Sequence, residues 1–514
     1  MRKIIWTLSF LCALCVLCTC AVFSADGTAR DITAAVTVTA VGFENGQLMT
    51  DGAASSPAVC GAGGRVTLNA REHIGALYVK FHTAPDSWTV SGDSGEITCG
   101  GSRFYHEYVD VSAQIGESTS LTLSFAGGAE ISEIIVLSEG ERPADVQVWQ
   151  PTCDEAELLL FSAHSDDDQL YFAGLIPCYT ARGYDVQVVY LTNHPYNPVR
   201  RHEALDGLWE AGCRYYPIFG EFADFRLDDY DQTVAEYARL GTSYETLESF
   251  AVSTIRRTKP LVVVTHDVDG EYGHGMHLVL SDVVQSAVGK SGESAYPASA
   301  EEYGTWTVPK TYIHLYGEGK IVLPIDVPLA AFGGRSAFQV SQDAFRLHKS
   351  QHWMMFYEWL YGEWDEITKS SQIKDYNPAY YGLYASEVGA DAAGCDMFEN
   401  LEMHLARRGI GVMGEELSRT EEEISALREE NAALSEAVSA LESAMAEAEE
   451  TVAELKAALL AERAENADAD RSAEEIASLR AENRRMRTAV TVLGGALALF
   501  VIVTAILAVY RKKK

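Results

Sequence analysis

Three short apolar runs between residues 157 and 264 alternate with helix-like segments, and that alternation narrows the possible folds more than any other feature of the chain. Glu157-Leu158-Leu159-Leu160-Phe161, Tyr184-Asp185-Val186-Gln187-Val188-Val189-Tyr190-Leu191 and Pro260-Leu261-Val262-Val263-Val264 read as strands buried on both faces. Gln169 to Arg182 and Arg200 to Gly212 read as helices between them, and another helix starts near His274. Strands alternating with helices imply βαβ units and a mostly parallel sheet in an α/β body. The region to about Leu405 adds a strand near Thr311 to Leu315 and a helix near Phe345.

The chain has 514 residues, too many for one core, and the pattern changes on both sides of this body. From about Ile32 to Val148, short apolar runs such as Leu121-Thr122-Leu123-Ser124-Phe125 are separated by Gly, Ser and Asp clusters, as in an all-β sandwich. From Glu415 a heptad repeat sets in, with Leu417, Ile424, Asn431, Val438, Met445, Val452 and Leu459 at a and Leu427, Leu434, Leu441, Ala448 and Leu455 at d. It resumes after residue 471 with a shifted phase, and its a and d choices favour a parallel homodimer. Thr488 to Tyr510 is uncharged and followed by Arg511-Lys512-Lys513-Lys514, the pattern of a membrane-spanning helix with a cytoplasmic tail. The first residues carry a basic start, an apolar run and small residues near Ala25, as a signal peptide does. The expected layout is therefore a signal peptide over 1–24, a β-domain over 26–150, an α/β domain over 152–408, a coiled coil over 415–487, a transmembrane helix over 488–510 and a tail over 511–514. The expected location is the cell membrane, single-pass, with the ectodomain outside.

A formal net charge of −34 repels phosphate and excludes a nucleic-acid partner. Cys60, Cys99, Cys153, Cys178, Cys213 and Cys395 remain beyond the signal segment and show no CxxC spacing, so they imply no structural zinc. Cys60 and Cys99 could pair within the β-domain, with free thiols the alternative.

The chemistry is concentrated at two strand ends. Ala163-His164-Ser165-Asp166-Asp167-Asp168 follows the first buried strand, and His266-Asp267-Val268-Asp269-Gly270-Glu271-Tyr272-Gly273-His274-Gly275-Met276-His277 follows the third. Open α/β sheets place ligands at such edges. A catalytic zinc takes three nitrogen or oxygen ligands and one open position, which two ligands from one loop and a third from the other would supply. Each segment alone is weak, since acidic runs are usually solvated loops. Their conjunction, with the helical Arg200-Arg201-His202-Glu203 between them, points to a site.

These motifs resemble those of the PIG-L, or LmbE-like, zinc N-deacetylases over about residues 155 to 405. Ala163 to Asp168 matches the family's AHPDDE motif, Arg200 and Glu203 match RxxE, and His274 to His277 matches HPDH. The resemblance implies a Rossmann-like sheet, with the N-terminal segment similar to discoidin or galactose-binding jelly rolls in pattern only. It implies Zn2+ held by His164, Asp167 and His277, with Asp166 as general base and His274 as a protonated electrophile. Arg200, Glu203, His348 and Gln351 would meet the substrate, an N-acetylated sugar or glycan. The implied activity is deacetylation of an N-acetylglucosamine-type amino sugar at the cell surface. An amidase for a larger sugar-conjugate amide and a decayed glycan-binding adhesin stay as alternatives. Three positions depart from the motifs: Ser165 for proline, Asp168 for glutamate, and Met276 for the acid that often orients the first histidine of the last motif, leaving either Asp267 or Asp269 for that task or a His274 with a lower pKa that works less well. Trp353, Phe356, Tyr357, Trp359 and Tyr361 share a helical segment that reads as core packing before sugar stacking.

Overall fold

Eight N-terminal strands pair antiparallel into one sheet: β1 (Thr37–Glu44), β2 (Ala58–Asn69), β3 (Ile74–Thr83), β4 (Trp88–Ser91), β5 (Glu96–Cys99), β6 (His106–Asp110), β7 (Ser120–Phe125) and β8 (Ala129–Ser138). Along β7, Leu121, Leu123 and Phe125 are buried and the residues between them half-exposed, the period-two pattern of a strand with one wet face. The computed structural model describes residues 27–318, 320–465 and 473–511, so the expected signal segment lies outside the described residues. The chain divides into two units, Met1–Arg408 and Gly409–Lys514.

The strand order β5-β4-β7-β2-β8-β3-β6, with β1 on β2, corrects the expected two-layer jelly roll. β2 pairs with β8 through Ala58–Cys60 and with β7 through Gly64–Asn69, so one strand serves both halves and the sheet curls around a single core. Gly63, at φ +87°, lies at the bend between the two pairings, a backbone region that side chains other than glycine rarely adopt. Cys60 and Cys99 are buried free thiols rather than a disulfide.

The second sheet contains β9 (Leu158–Ser162), β10 (Val186–Tyr190), β11 (Ile218–Phe219), β12 (Val262–Thr265), β13 (Lys310–His314), β14 (Ile321–Val322) and β15 (Tyr380–Ser386) in the order β11-β10-β9-β12-β13-β15-β14. Neighbours from β11 to β13 are parallel, and β15 and β14 are antiparallel additions at one edge. β9, β10, β12 and β13 are buried throughout, which explains their unbroken apolar runs. Leu158 and Leu160 face one core while Leu159 and Phe161 face the other. The expected fold class needs correction as a whole, because across the described strands most pairings are antiparallel. The helix expected over 169–182 is shorter as well: turns run to Gly174, and only Leu175–Thr180 is α-helical.

β9 neighbours both β10 and β12, so the chain leaves it to one side and returns on the other. A crevice opens at the carboxyl ends of strands where the order reverses in this way. The loop after β9 carries His164 and the loop after β12 carries His266 to His277. Sheet order thus brings together two segments about a hundred positions apart.

The Val199–Glu210 helix is held from two sides. Toward the N-terminal sheet, His106 Nε2 and His202 Nδ1 lie 2.8 Å apart, and Arg201 donates to Tyr105 Oη and to the His82 carbonyl. Lys80 pairs with Asp206 on the same face. Toward the second sheet the helix presents Arg200 to Asp166 in the loop after β9, and Glu203 to Ser350.

In the C-terminal unit, helices span Glu402–Glu465 and Ala473–Arg511. Among the described residues no helix is long and apolar enough to cross a membrane. The second helix carries Arg484, Arg485 and Arg487 before residue 488. The expected transmembrane helix over 488–510, the cytoplasmic tail over 511–514 and the single-pass cell-membrane location with an external ectodomain are therefore withdrawn.

Candidate active site

Two loops and one helix start build the site. After β9 the chain turns sharply, with the amides of Gln169 and Leu170 donating to the Asp166 carbonyl and that of Phe172 to Asp167. After β12 a short 3-10 turn, Glu271–Gly273, leads to His274, which caps the Gly275–Ser291 helix by accepting the Met276 amide at Nδ1. Tyr272 in that turn has φ 46°, a strained value for a side-chain-bearing residue, and its ring centroid lies 5.5 Å from those of both His274 and His277.

His164, Asp167 and His277 converge, all buried, with one donor atom each within 4.8 Å of the others. Asp167 Oδ2 is 3.0 Å from His164 Nδ1 and 3.2 Å from His277 Nε2. His277 donates from its other nitrogen, Nδ1, to Glu271 Oε2 at 2.8 Å, while Nε2 faces Asp167 Oδ2. Burial opposes a charge on His277, but Asp167 and Glu271 outweigh it and push the ring up to about 10. Burial also opposes the Asp167 anion, yet His277 and His164 hold its carboxyl well below the usual range. The cluster therefore demands positive charge at its centre.

Asp166 points beside this cluster, its Oδ1 bound by Arg200 at 2.7 Å. Burial raises the Asp166 carboxyl above its ordinary value, Arg200 pulls it down and Asp167 pushes it up again. Arg200 is thus a partner of Asp166. Glu203 accepts from the amide and hydroxyl of Ser350, and Gln351 donates to that same hydroxyl. His348 is fully buried against Gly207, where a Cβ would come within 2.5 Å of its Nε2. Neither His348 nor Gln351 shares a hydrogen bond with the metal-ligand cluster. Asp168 is buried behind the loop and accepts from Gln169, and burial raises its carboxyl far above the usual range.

His274 is buried, its ring centroid 4.8 Å from that of His164 and 4.9 Å from that of His277. Burial, reinforced by His164 and His277, lowers it to about 2, so the ring is neutral around neutrality with its hydrogen on Nε2. Asp267 and Asp269 do not orient it. Asp267 receives the amide of Asp269, and its own amide donates to Glu271.

Several residues of the site escaped the sequence reading. Glu271 accepts from His266 Nδ1 at 2.6 Å, from His277 Nδ1, and from His314 Nδ1 at 2.7 Å. His314 ends β13, the parallel neighbour of β12, and its Nε2 donates to the Asn377 carbonyl. Asp224 lies 3.6 Å from His164 Nε2, 3.1 Å from His194 Nδ1 and 3.6 Å from Arg200. Only Glu271 had a usable signal, an acid six positions before a candidate ligand. Asp224 and His194 stand in loops without periodicity.

Residues 159–288 match the family model described as PIG-L: GlcNAc-PI de-N-acetylase. A 1D-myo-inositol 2-acetamido-2-deoxy-alpha-D-glucopyranoside deacetylase of Rhodococcus jostii (strain RHA1) is 31% identical over 180 residues, 31% of this chain and 61% of the relative. The enzyme of the same name from Rhodococcus erythropolis (strain PR4 / NBRC 100887) is 27% identical over 183 residues, with the same coverage of 31% and 61%. The chain spans about three fifths of the length of the curated relatives it matches. Among solved structures, an N,N'-diacetylchitobiose deacetylase from Pyrococcus horikoshii aligns over 44% of this chain and 84% of its own, at 16% identity and a TM-score of 0.33. The family-model match places a PIG-L (GlcNAc-PI de-N-acetylase) domain over residues 159–288, the span that holds His164, Asp167 and His277.

Proposed function

We propose that this protein is a zinc-dependent N-deacetylase acting on an N-acetylglucosamine-type amino sugar. The observation that carries the reading is the buried His164–Asp167–His277 cluster with Asp166 clamped beside it by Arg200. Two imidazole nitrogens and one carboxylate oxygen form a donor set suited to catalytic zinc. The tautomer that Glu271 imposes on His277 leaves a lone pair where a ligand needs one. The proton that the cluster otherwise holds on His277 is the charge a divalent cation would replace. When bound, zinc supplies Lewis acidity toward an amide carbonyl.

The remaining chemistry falls to the chain's own side chains. Arg200 occupies Asp166 Oδ1, so Oδ2 is the oxygen available to take a proton from the attacking water. The same carboxyl then returns that proton to the departing amine as the C–N bond breaks, leaving acetate. Neutral His274 presents Nε2–H as a hydrogen-bond donor for the carbonyl oxygen as negative charge develops on it. This role replaces the protonated electrophile expected from the sequence. On this reading residues 152–408 form the catalytic body and 26–150 an accessory β-domain that grips the Arg200 helix through His202 and Arg201.

The Glu402–Glu465 helix carries Leu434, Val438, Leu441, Met445, Val452, Leu455 and Leu459, between 39% and 64% exposed at a and d spacing. Such a stripe fits a second copy of this chain in a parallel pair.

Acetate release from N-acetylated glucosamine derivatives by the purified full chain with zinc tests the assignment. Asp167→Ala should lose both zinc and turnover, whereas Asp166→Asn should keep zinc and lose at least about 100-fold in turnover. Zinc uptake without deacetylation of any amino sugar would refute the substrate class, and no zinc uptake would refute the site.

A further inference from the structure

Ser165 stands between two candidate ligands, where the similar motif has proline, and its side chain has a specific partner. Ser165 Oγ lies 2.8 Å from His194 Nε2, and the Ser165 amide points to the same nitrogen at 3.4 Å. On the other edge of the ring, His194 Nδ1 lies 3.1 Å from Asp224 Oδ2. Asp224 Oδ1 in turn faces His164 Nε2 at 3.6 Å. His194 is 2% exposed and holds φ 50°, a strained conformation retained only where the surroundings determine it.

The hydrogens can be assigned from the partners. The Asp224 carboxylate accepts only, so it requires a hydrogen on His194 Nδ1. Burial, with Arg200 nearby, lowers His194 to about 3, so the ring has one hydrogen and Nε2 is an acceptor. The Ser165 hydroxyl therefore donates to His194, and His194 donates to Asp224. The order is that of a Ser–His–Asp triad, but Ser165 is fully buried and cannot reach an acyl carbon.

We propose that the Ser165–His194–Asp224 chain is a positioning device that holds the His164–Asp167 loop in ligand geometry, in place of the rigidity a proline would give. Its far end, Asp224 Oδ1, faces His164 Nε2 at 3.6 Å, so the chain closes back on the first residue of that loop. A carboxylate lies behind each candidate histidine ligand, Glu271 hydrogen-bonded to His277 and Asp224 at 3.6 Å from His164. The inference rests on the metal reading only for its affinity readout, and the loop can be followed without metal.

The test uses the full-length chain in four forms: wild type, His194→Leu, Ser165→Pro and the double variant. Two measurements are made on each, zinc affinity by competition with a chromogenic chelator and amide hydrogen exchange of residues 163–168 in metal-free protein. His194→Leu should weaken zinc by about 10- to 100-fold and speed exchange in the loop. In the Ser165→Pro background, where the ring no longer receives a hydroxyl, the same change should speed loop exchange far less. His194→Gln, which can accept from Ser165 and donate to Asp224, should behave like wild type. If His194→Leu fails to fold, Ser165→Ala replaces it, removing only the hydroxyl, and should still speed exchange. Equal effects of His194→Leu in both backgrounds, or unchanged exchange in Ser165→Ala, would overturn the proposal. Labelling of Ser165 by a fluorophosphonate would overturn it too, by showing a nucleophile. Absence of zinc binding in wild type, with the exchange pattern intact, would sink the metal reading and leave the loop device standing.

Discussion

Glu271 is the residue on which the site's order depends most, and its removal gives a calculable outcome. Its two oxygens accept from the rings of His266, His277 and His314, all fully buried, and from the amide of Asp267. Burial opposes the Glu271 charge, but the field of His266 and the hydrogen bonds from the rings hold its carboxyl well below the usual range. Hydrogen bonds to a charged group contribute about 1.5–3 kcal/mol each. Glu271→Gln keeps the shape but turns one acceptor into an amide NH2 donor facing ring donors, so at least one such bond is lost and the others weaken, for a total of about 3 kcal/mol. Glu271→Leu removes all three, roughly 5–9 kcal/mol, against a typical domain stability of about 5–15 kcal/mol. The Gln variant should therefore fold with a clearly lower urea midpoint, and the Leu variant should be unfolded or nearly so. Tryptophan fluorescence during urea unfolding of metal-free protein measures the first quantity. Chelator competition measures the second, an expected zinc weakening of about 10- to 100-fold as His277 loses its acceptor. A Gln variant with the wild-type midpoint and wild-type zinc affinity would refute the argument that Glu271 organises the three rings.

Arg200→Leu should raise the acid limb of the pH–rate profile, because burial already lifts the Asp166 carboxyl and Arg200 is the group that lowers it; an unmoved limb would show that Asp166 is not the base. Burial, with Asp51 nearby, raises Glu133 in the N-terminal sheet to about 7 although the Gly52 amide pulls it down. A raised acid holds its proton in the folded state, so its cost to stability is absent below the unfolded value of about 4.3, grows as pH rises and is complete above about 7. Glu133→Gln, whose oxygen can still accept from Gly52, should thus match wild type in melting temperature near pH 4 and exceed it by a widening margin to pH 8; a gap that does not depend on pH would count against it. Sedimentation of the full chain should give twice the 56.2 kDa chain mass, with Leu441→Lys and Leu455→Lys together restoring the monomer, and a wild-type monomer at micromolar concentration would rule out the pairing.

What could be read from the residues in order was whatever local pattern encodes. The unbroken apolar runs at Leu158 to Phe161 and Val262 to Val264 announced strands buried on both faces, because only a covered sheet tolerates them. His164, Asp167 and His277 were legible because each sits within a few residues of such a strand end or helix start, and the short motifs there have a chemical meaning. The resemblance to the PIG-L family rested on those same positions, and the family match falls on them. Periodicity could not show where partners from distant segments meet. His194, Asp224, Glu271 and His314 come from four different loops or strand ends, and their hydrogen bonds exist only because the order β11-β10-β9-β12-β13 places those ends side by side. The same holds for His274, whose charge the sequence could not assign. Its apolar neighbour Met276 was visible, but the burial and the facing His164 and His277 that keep the ring neutral were not. A sequence determines which residues are available and what each local stretch prefers. The strand order and the exclusion of water decide which donors meet which acceptors, and therefore which charges the site can hold.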